Sequence, residues 1–409
     1  MSAAYRKLDE RLVIYVIPIA NIGAGMTWSG LPLLLSSQTN DYGNVFILFM
    51  SSMAAGALFT LIGGSLADAF RRKSFVIASL CIDVCLTLSL AYFGTKDSVL
   101  LFYLVSFSSA LVGAMSGSAL NVWIKDILSS TTDSLSRSLA ARGMWNILSK
   151  AAGFALGPLV YSALEFDALF IDAAFSAIPA IALAFVLDLK MRGAGGLDWS
   201  GGYGEIFTRS FWNPERRLIL SLFTLTATYT VPTVMISYAI LLKRYGAGEM
   251  EASTFWLLAS AGSVASHFGM TRRLAGAFDS SNRLLFSQLL MAAAFAGLWF
   301  APTPLWFAAA FVLFTLSNPV MTNALQTEVY EKCEDVFRGR FNALCQLADD
   351  VAGLLVLFVC QQMIDTGLVD RFYLYALPLM AITLLLVVKS RDRLTSRIGT
   401  VPSAGFGHQ

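Results

Sequence analysis

Four ionisable side chains, Asp83, Lys150, Asp349 and Asp350, stand inside apolar runs of the sequence. At the centre of a bilayer each costs at least about 2.5–3.5 kcal/mol on insertion scales, so each needs a function or a partner. Lys150 lies 11 residues into its run, about 16 Å along a helix, too deep to reach the surface easily. Asp350 stands at the same depth in a later run. A buried lysine suits an anionic or acceptor group of a bound molecule. A buried aspartate suits a cationic group or a transferable proton, because loss of water disfavours a charged carboxylate. The alternative is a buried ion pair or hydrogen-bonded network that holds helices together. Asp349 and Asp350 project about 100° apart on a helix, so at most one points fully into a shared space.

The neighbours of these charges recur at helical spacing. Arg142, Asn146, Lys150, Gly153 and Gly157 form one polar and small face. Asn342, Gln346, Asp349 or Asp350, and Gly353 form another, and two such faces can line one water-filled cavity. Lys150, Asn146 and Gln346 are therefore candidates for substrate binding, with Asp350 and Asp349 as candidates for proton coupling. Further polar groups in apolar runs extend the binding set: Asn21, Asn121, Tyr229 with Thr228 and Thr233 near Pro232, and Asn318, Thr322 and Gln326 near Pro319. Pro18, Pro232 and Pro319 free backbone carbonyls, which membrane helices tolerate beside a cavity or a neighbouring helix. Asp83 is read as structural, satisfied by Ser79, Thr87 and Ser89, and His267 as a satisfied interfacial group.

The elements that must position these residues follow from composition. Of 409 residues 56% are hydrophobic and 14% charged, whereas a soluble chain carries roughly 25% charged residues. A window of about 20 apolar residues per crossing gives twelve spans: 11–37, 43–67, 74–94, 98–124, 139–163, 167–189, 215–242, 251–270, 282–301, 304–328, 339–364 and 370–389. The expected architecture is an all-α polytopic membrane protein of two pseudo-symmetric six-helix bundles, 1–189 and 215–389. A cytoplasmic linker, 190–214, joins them, and a cytoplasmic tail, 390–409, follows. With the N-terminus and every second loop on one side, that side holds 25 of the 29 Lys and Arg, counting Lys150 within span five, and the other side only Lys96, Lys243, Arg244 and Arg371. The positive-inside bias makes it the cytoplasm and places both termini there. The first run is too long for a signal-peptide core and is expected to stay in the mature protein. The five cysteines lack disulfide or zinc spacing and read as small apolar fillers.

The halves resemble each other. Ser118-Ala119-Leu120-Asn121 matches Asn323-Ala324-Leu325-Gln326, Pro179 matches Pro378, and Asn146…Lys150-Ala151-Ala152-Gly153 lies 200 residues before Gln346…Asp350-Val351-Ala352-Gly353. Such repeats are how many transporters are built, with the substrate at the midplane between them. Between spans two and three runs what reads as a charged turn, Gly63-Gly64-Ser65-Leu66-Ala67-Asp68-Ala69-Phe70-Arg71-Arg72-Lys73. It resembles the Gly-x-Leu-Ala-Asp-Arg-x-Gly-Arg-Arg/Lys loop of the major facilitator superfamily, with Ala69 in place of the first basic residue and Arg71 in place of the second glycine. The resemblance implies a gate in which Gly64, Asp68, Arg72 and Lys73 latch the halves against the start of span eleven, with Arg338 and Arg340. Gly153-x-x-x-Gly157-Pro158 looks like the signature of exporter branches of that family, although glycines four apart also let helices pack closely. The segments Arg137 to Arg142 and Arg338 to Leu344 are similar to those of siderophore and drug exporters. The span-four arginine tied to proton relay in that branch is absent, and Ser109 stands near its place.

No Gly-rich phosphate loop, metal-ligand spacing or nucleophile–base arrangement occurs, so the sequence points away from an ATP-driven pump, a cofactor protein and an enzyme. The small net charge of +2, spread over short clusters, gives no sign of nucleic-acid binding. The reading is a secondary active transporter working by alternating access. It is expected to export a small polar or amphipathic molecule, a siderophore or drug-like metabolite, by coupling to protons that move the other way. The expected setting is a bacterial inner membrane, with no cofactor and the monomer as the working unit. The alternatives are import on the same scaffold, lipid flipping, or a receptor that transports nothing.

Overall fold

A computed structural model of the chain describes residues 10–39, 41–69, 72–94, 98–131, 135–185, 211–333, 335–364, 366 and 368–390. Every regular element among them is helical. This is the expected outcome for apolar segments, since a helix satisfies its own backbone polar groups where water is absent.

Residues Leu12–Val16 form a π turn and Ile17–Ile19 a 3₁₀ turn around Pro18, whose missing N–H breaks the regular ladder. The first helix, α1 (Ala20–Thr39), follows, then α2 (Gly43–Ala69), α3 (Arg72–Phe93), α4 (Val99–Thr131), α5 (Leu135–Leu164) and α6 (Ala168–Phe185). After the linker come α7 (Pro214–Tyr245), α8 (Glu249–Ala265), α9 (Ser280–Phe300), α10 (Pro304–Lys332), α11 (Asp335–Ile364) and α12 (Phe372–Lys389). Beyond α8 the chain continues through a π turn, Ser266–Met270, and a short helix, Thr271–Ala277. Asn213 caps α7 by accepting from the Arg216 amide at 2.7 Å, and Gly246, with φ 58°, ends that helix in the left-handed conformation glycine adopts without strain. Most of the linker, 190–210, and the tail from 391 lie outside the described residues.

Among the described residues eight helical stretches are long and apolar enough to cross a membrane: Leu12–Thr39, Lys73–Phe93, Ala141–Phe185, Pro214–Tyr245, Ser280–Phe300, Pro304–Val329, Phe341–Met363 and Phe372–Lys389. Gly43–Phe59 and Val99–Met115 are shorter apolar helices. The 45-residue stretch Ala141–Phe185 is broken by the 3₁₀ turn Glu165–Asp167 into α5 and α6. The chain is thus a multi-pass integral membrane protein. The expected turn at 63–73 is shorter than the sequence suggests: α2 stays helical through Gly63 and Gly64 to Ala69, and α3 begins at Arg72. Leu66, Ala67 and Ala69 are strong helix formers and offset the two glycines.

Packing follows a repeated scheme. In the first set α1 packs on α5 and α6, α2 on α4, and α3 on α4 and α6. In the second, α7 packs on α11 and α12, α8 on α10, and α9 on α10 and α12, so each pairing recurs six helices later. Between the sets α2 meets α11 and α5 meets α8. The α1–α5 seam is the closest: a Cβ added to Gly25 would stand 2.7 Å from the Lys150 carbonyl oxygen, and one on Gly157 would stand 2.5 Å from that of Met26. Gly153 and Gly157 therefore serve helix packing here. A buried aromatic cluster including Phe255, Phe295, Phe307, Phe311, Phe314 and Tyr373 fills the second set.

Candidate functional site

A cavity of about 520 Å³ lies between the two helix sets, lined from α1, α5, α7, α8, α10 and α11. One end is closed by contacts across the sets. The Tyr238 hydroxyl on α7 donates to the Ser29 carbonyl on α1 at 2.7 Å, and the Ser253 hydroxyl on α8 donates to the Ala155 carbonyl on α5. Next to them Phe154 and Trp256 stack, with centroids 4.9 Å apart and ring planes at 15°. From there the lining runs toward the opposite end, to Phe223 on α7, His267 beyond α8, Gln326 on α10 and Gln346 on α11.

Six of the residues expected to bind substrate or carry protons share this cavity: Lys150, Asn318, Thr322, Gln326, Gln346 and Asp349. Lys150 comes from the first helix set and the other five from the second, and among the described residues Lys150 forms no ion pair with either aspartate. Its Nζ lies 5.5 Å from the Phe154 ring centroid, a cation–π geometry. The two adjacent acids diverge, as helical geometry requires. Asp349 lines the cavity, while Asp350 accepts from Gln346 Nε2 at 3.2 Å and faces α2, where a Cβ on Gly56 would stand 3.5 Å from it.

The remaining candidates lie elsewhere. Asn21 Nδ2 donates to Asn146 Oδ1 at 3.2 Å across the α1–α5 seam, outside the cavity lining. Tyr229 is fully buried, with its hydroxyl donating to Gln288 Oε1 at 3.0 Å, and so points into the second helix set rather than the cavity. The hydroxyls of Thr228 and Thr233 are used by carbonyls of their own helix. Lys73 donates from Nζ to the Ala184 carbonyl at 3.1 Å, which places it on the C-terminal end of α6. Side chains of Gly64, Asp68, Arg72, Asn121, Arg338 and Arg340 lie outside the described part of the structure.

Sequence reasoning missed two features. One is the aromatic wall of Trp28, Phe154, Trp256, Phe311 and Phe314, since an aromatic residue in an apolar run reads the same whether it meets lipid or a cavity. The other is Asp172 on α6, which is buried and accepts a hydrogen bond from the Thr27 hydroxyl, itself 3.0 Å from the Tyr161 hydroxyl. Asp83 joins the same region, accepting from Ser176 on α6 at 3.2 Å. The partners expected from α3 itself are used otherwise: Ser79 and Ser89 donate to carbonyls one turn back. His267 lines the cavity with its Nδ1 2.9 Å from the Ser263 carbonyl.

Residues 16–357 match the family model of the Major Facilitator Superfamily. The chain belongs to that superfamily. Among solved structures, the nucleoside transporter NupG is 12% identical with a TM-score of 0.71, over 96% of this chain and 100% of that one. A POT family peptide transporter in an auto-inhibited form is 12% identical with a TM-score of 0.73, over 97% and 99%. A bacterial homologue of the iron transporter ferroportin, inward-facing, is 14% identical with a TM-score of 0.68, over 95% and 99%. At these identities the likeness is one of fold. No curated protein matches the sequence. Family and fold together make this member of the superfamily a membrane transport protein of the secondary type rather than an enzyme.

Proposed function

We propose that this chain moves a small polar or amphipathic molecule by alternating access, coupled to protons, through the cavity between its helix sets. One observation carries the reading: Lys150 from the first set and Asp349 from the second line the same cavity without pairing to each other. Two unpaired groups on bodies that meet mainly along α2–α11 and α5–α8 are suited to bind a molecule between them and to sense its departure. Lys150 binds the anionic or acceptor group, and Gln346, Asn318 and Gln326 supply hydrogen bonds. Asp349 carries the proton, with Asp350 behind it on the α2 side. Asn21 and Asn146 hold α1 against α5, and Asn121 stays a candidate from α4.

The recurrence of helix pairings supports two six-helix bundles, 1–189 and 215–389, and twelve crossings. The bias of Lys and Arg supports cytoplasmic termini, which makes the cavity's far end the cytoplasmic one and this conformation inward-facing. Gly64, Asp68, Arg72, Lys73, Arg338 and Arg340 are proposed to gate that end. Export from a bacterial cell across its inner membrane, by a monomer, completes the proposal. Its support is the sequence resemblance of Gly153-x-x-x-Gly157-Pro158 on α5 to exporter branches, in glycines that also pack α5 against α1.

The test is proton flux in proteoliposomes holding the purified protein, screened against siderophores, drugs and polar metabolites. Substrate-driven proton movement that Asp349→Asn abolishes supports the proposal. Substrate movement without protons overturns the coupling, and accumulation driven only toward the cytoplasmic face overturns export.

A further inference from the structure

We propose that the substrate of this protein is a hydroxyl-rich, sugar-like molecule, held along a row of uncharged side chains on α10, Asn318, Thr322 and Gln326. This names the substrate class of the transporter reading above and rests on it.

Much of the cavity wall is packed away from any ligand. Phe223, Met235, Trp256, Phe311, Phe314 and Leu325 are only 1–8% exposed, so they seal the wall rather than offer area. The exposed residues of the lining are Lys150, His267, Thr322 and Gln346, while Ser263, Asn318 and Gln326 are half-buried. No apolar residue of the lining is exposed. An apolar molecule placed there would strip these polar groups of water without replacing its hydrogen bonds, whereas a hydrophilic one restores each of them.

Three turns of α10 make the row. Asn318, Thr322 and Gln326 recur every four residues, so they stand on one face over about 12 Å. None of their side chains makes a hydrogen bond to another described residue, and neither does the Ser263 hydroxyl on the α8 side of the cavity. Gln346 on α11 commits its Nε2 to Asp350 and keeps its Oε1. Other hydroxyls of the wall are already used: Thr226, Thr230 and Thr315 each donate to a carbonyl of their own helix. Pro319 adds a backbone acceptor independently of the side chains. It has no N–H, so the Thr315 carbonyl one turn back loses its usual donor, and both residues line the cavity.

The ligand group follows from what these side chains can do. Amides and hydroxyls both donate and accept. A carboxylate or phosphate only accepts and an ammonium only donates, so either leaves half of the row unused. A hydroxyl does both at one atom, and neighbouring hydroxyls on a ring can meet the two ends of one side-chain amide. A row of about 12 Å exceeds a single six-membered ring and suits two linked rings or an open chain of that length. A volume of about 520 Å³ accommodates such a molecule. Lys150, on α5, then donates to one of its oxygens.

Calorimetric titration of the purified full-length protein in detergent tests this with sucrose, maltose, lactose, cellobiose and trehalose, beside ethidium as a lipophilic, drug-like probe. At least one disaccharide should bind saturably, with ethidium at least about tenfold weaker. Thr322→Val keeps the shape and removes one hydroxyl, and Gln326→Met removes one amide. Each should weaken that disaccharide about tenfold, near the value of one hydrogen bond. Thr230→Val, whose hydroxyl already serves its own helix, should bind as the wild type does. Failure of all five disaccharides to bind the wild-type protein, or tighter binding of ethidium, overturns the proposal without recourse to any variant. Equal losses in Thr322→Val and Thr230→Val overturn the row as the binding element. Counterflow in proteoliposomes separates the two levels. A disaccharide bound but never carried refutes the transporter reading, whereas carriage of ethidium and of no disaccharide refutes this inference alone.

Discussion

Replacing Tyr238 by Phe should open the closed end of the molecule by a calculable amount. The substitution removes one oxygen and keeps the ring, which packs against Trp256 at 5.3 Å and Phe255 at 6.3 Å. What is lost is the 2.7 Å hydrogen bond to the Ser29 carbonyl, a contact between the two helix sets. In the conformation open at that end both groups meet water, so the difference is the net value of one hydrogen bond, about 1 kcal/mol. With about 1.4 kcal/mol per factor of ten, the ratio of the two conformations should shift roughly fivefold toward the one open at this end. Ala163 and Met250 are exposed at that end, on α5 and α8, and take spin labels in a background lacking the five free cysteines. Pulsed electron resonance between them reads the two populations directly. The longer-distance population should rise by that factor. An unchanged distribution, or one shifted to shorter distances, would refute the assignment of this contact as an inter-set latch.

Further expectations concern separate parts of the molecule. Asp349→Asn should abolish substrate-driven proton movement, measured with a pH-sensitive dye in vesicles, while Asp350→Asn, facing α2, should reduce it less; the reverse ranking would exchange their roles. Gly157→Leu should destabilise the protein by more than the roughly 1–3 kcal/mol of ordinary overpacking, because Met26 backbone stands in the way. Loss of thermal stability in fluorescence-detected size exclusion checks this, with Gly143→Ala as a neutral control, since nothing lies within 4 Å of its Cβ position. Asp68→Asn should slow turnover with little change in substrate affinity, and a large loss of affinity in a binding assay would contradict a gating role.

Depth along a helix could be read from the sequence, and direction around it only in part. Counting residues placed Lys150 and the two aspartates away from the surface, and helical spacing separated Asp349 from Asp350 without saying which faced inward. The answer depends on how α11 leans on α2, where Gly56 leaves room for Asp350, and no periodicity within α11 contains that. Tyr229 illustrates the opposite error. A polar tip near Pro232 looks like cavity lining, yet Gln288 on α9 draws it into the helix set. Asp83 finds Ser176 on α6 rather than a serine of its own helix, because serines in a helix are readily taken by carbonyls one turn back. The pairing of halves was visible as a 200-residue offset because both halves build the same packing scheme.

The stack of Phe154 on Trp256 belongs to two surfaces at once, the wall that would touch cargo and the joint that shuts one face of the molecule. Selectivity and turnover therefore draw on the same atoms. A change at either ring that admits a new compound also loosens or tightens the joint. Variants chosen for an altered cargo range should then arrive with altered speed, and restoring speed would call for second changes at Ser29, Tyr238, Ser253 or Ala155, none of which need touch the cargo. Drift in this protein would be expected to couple the two faces of that joint in pairs.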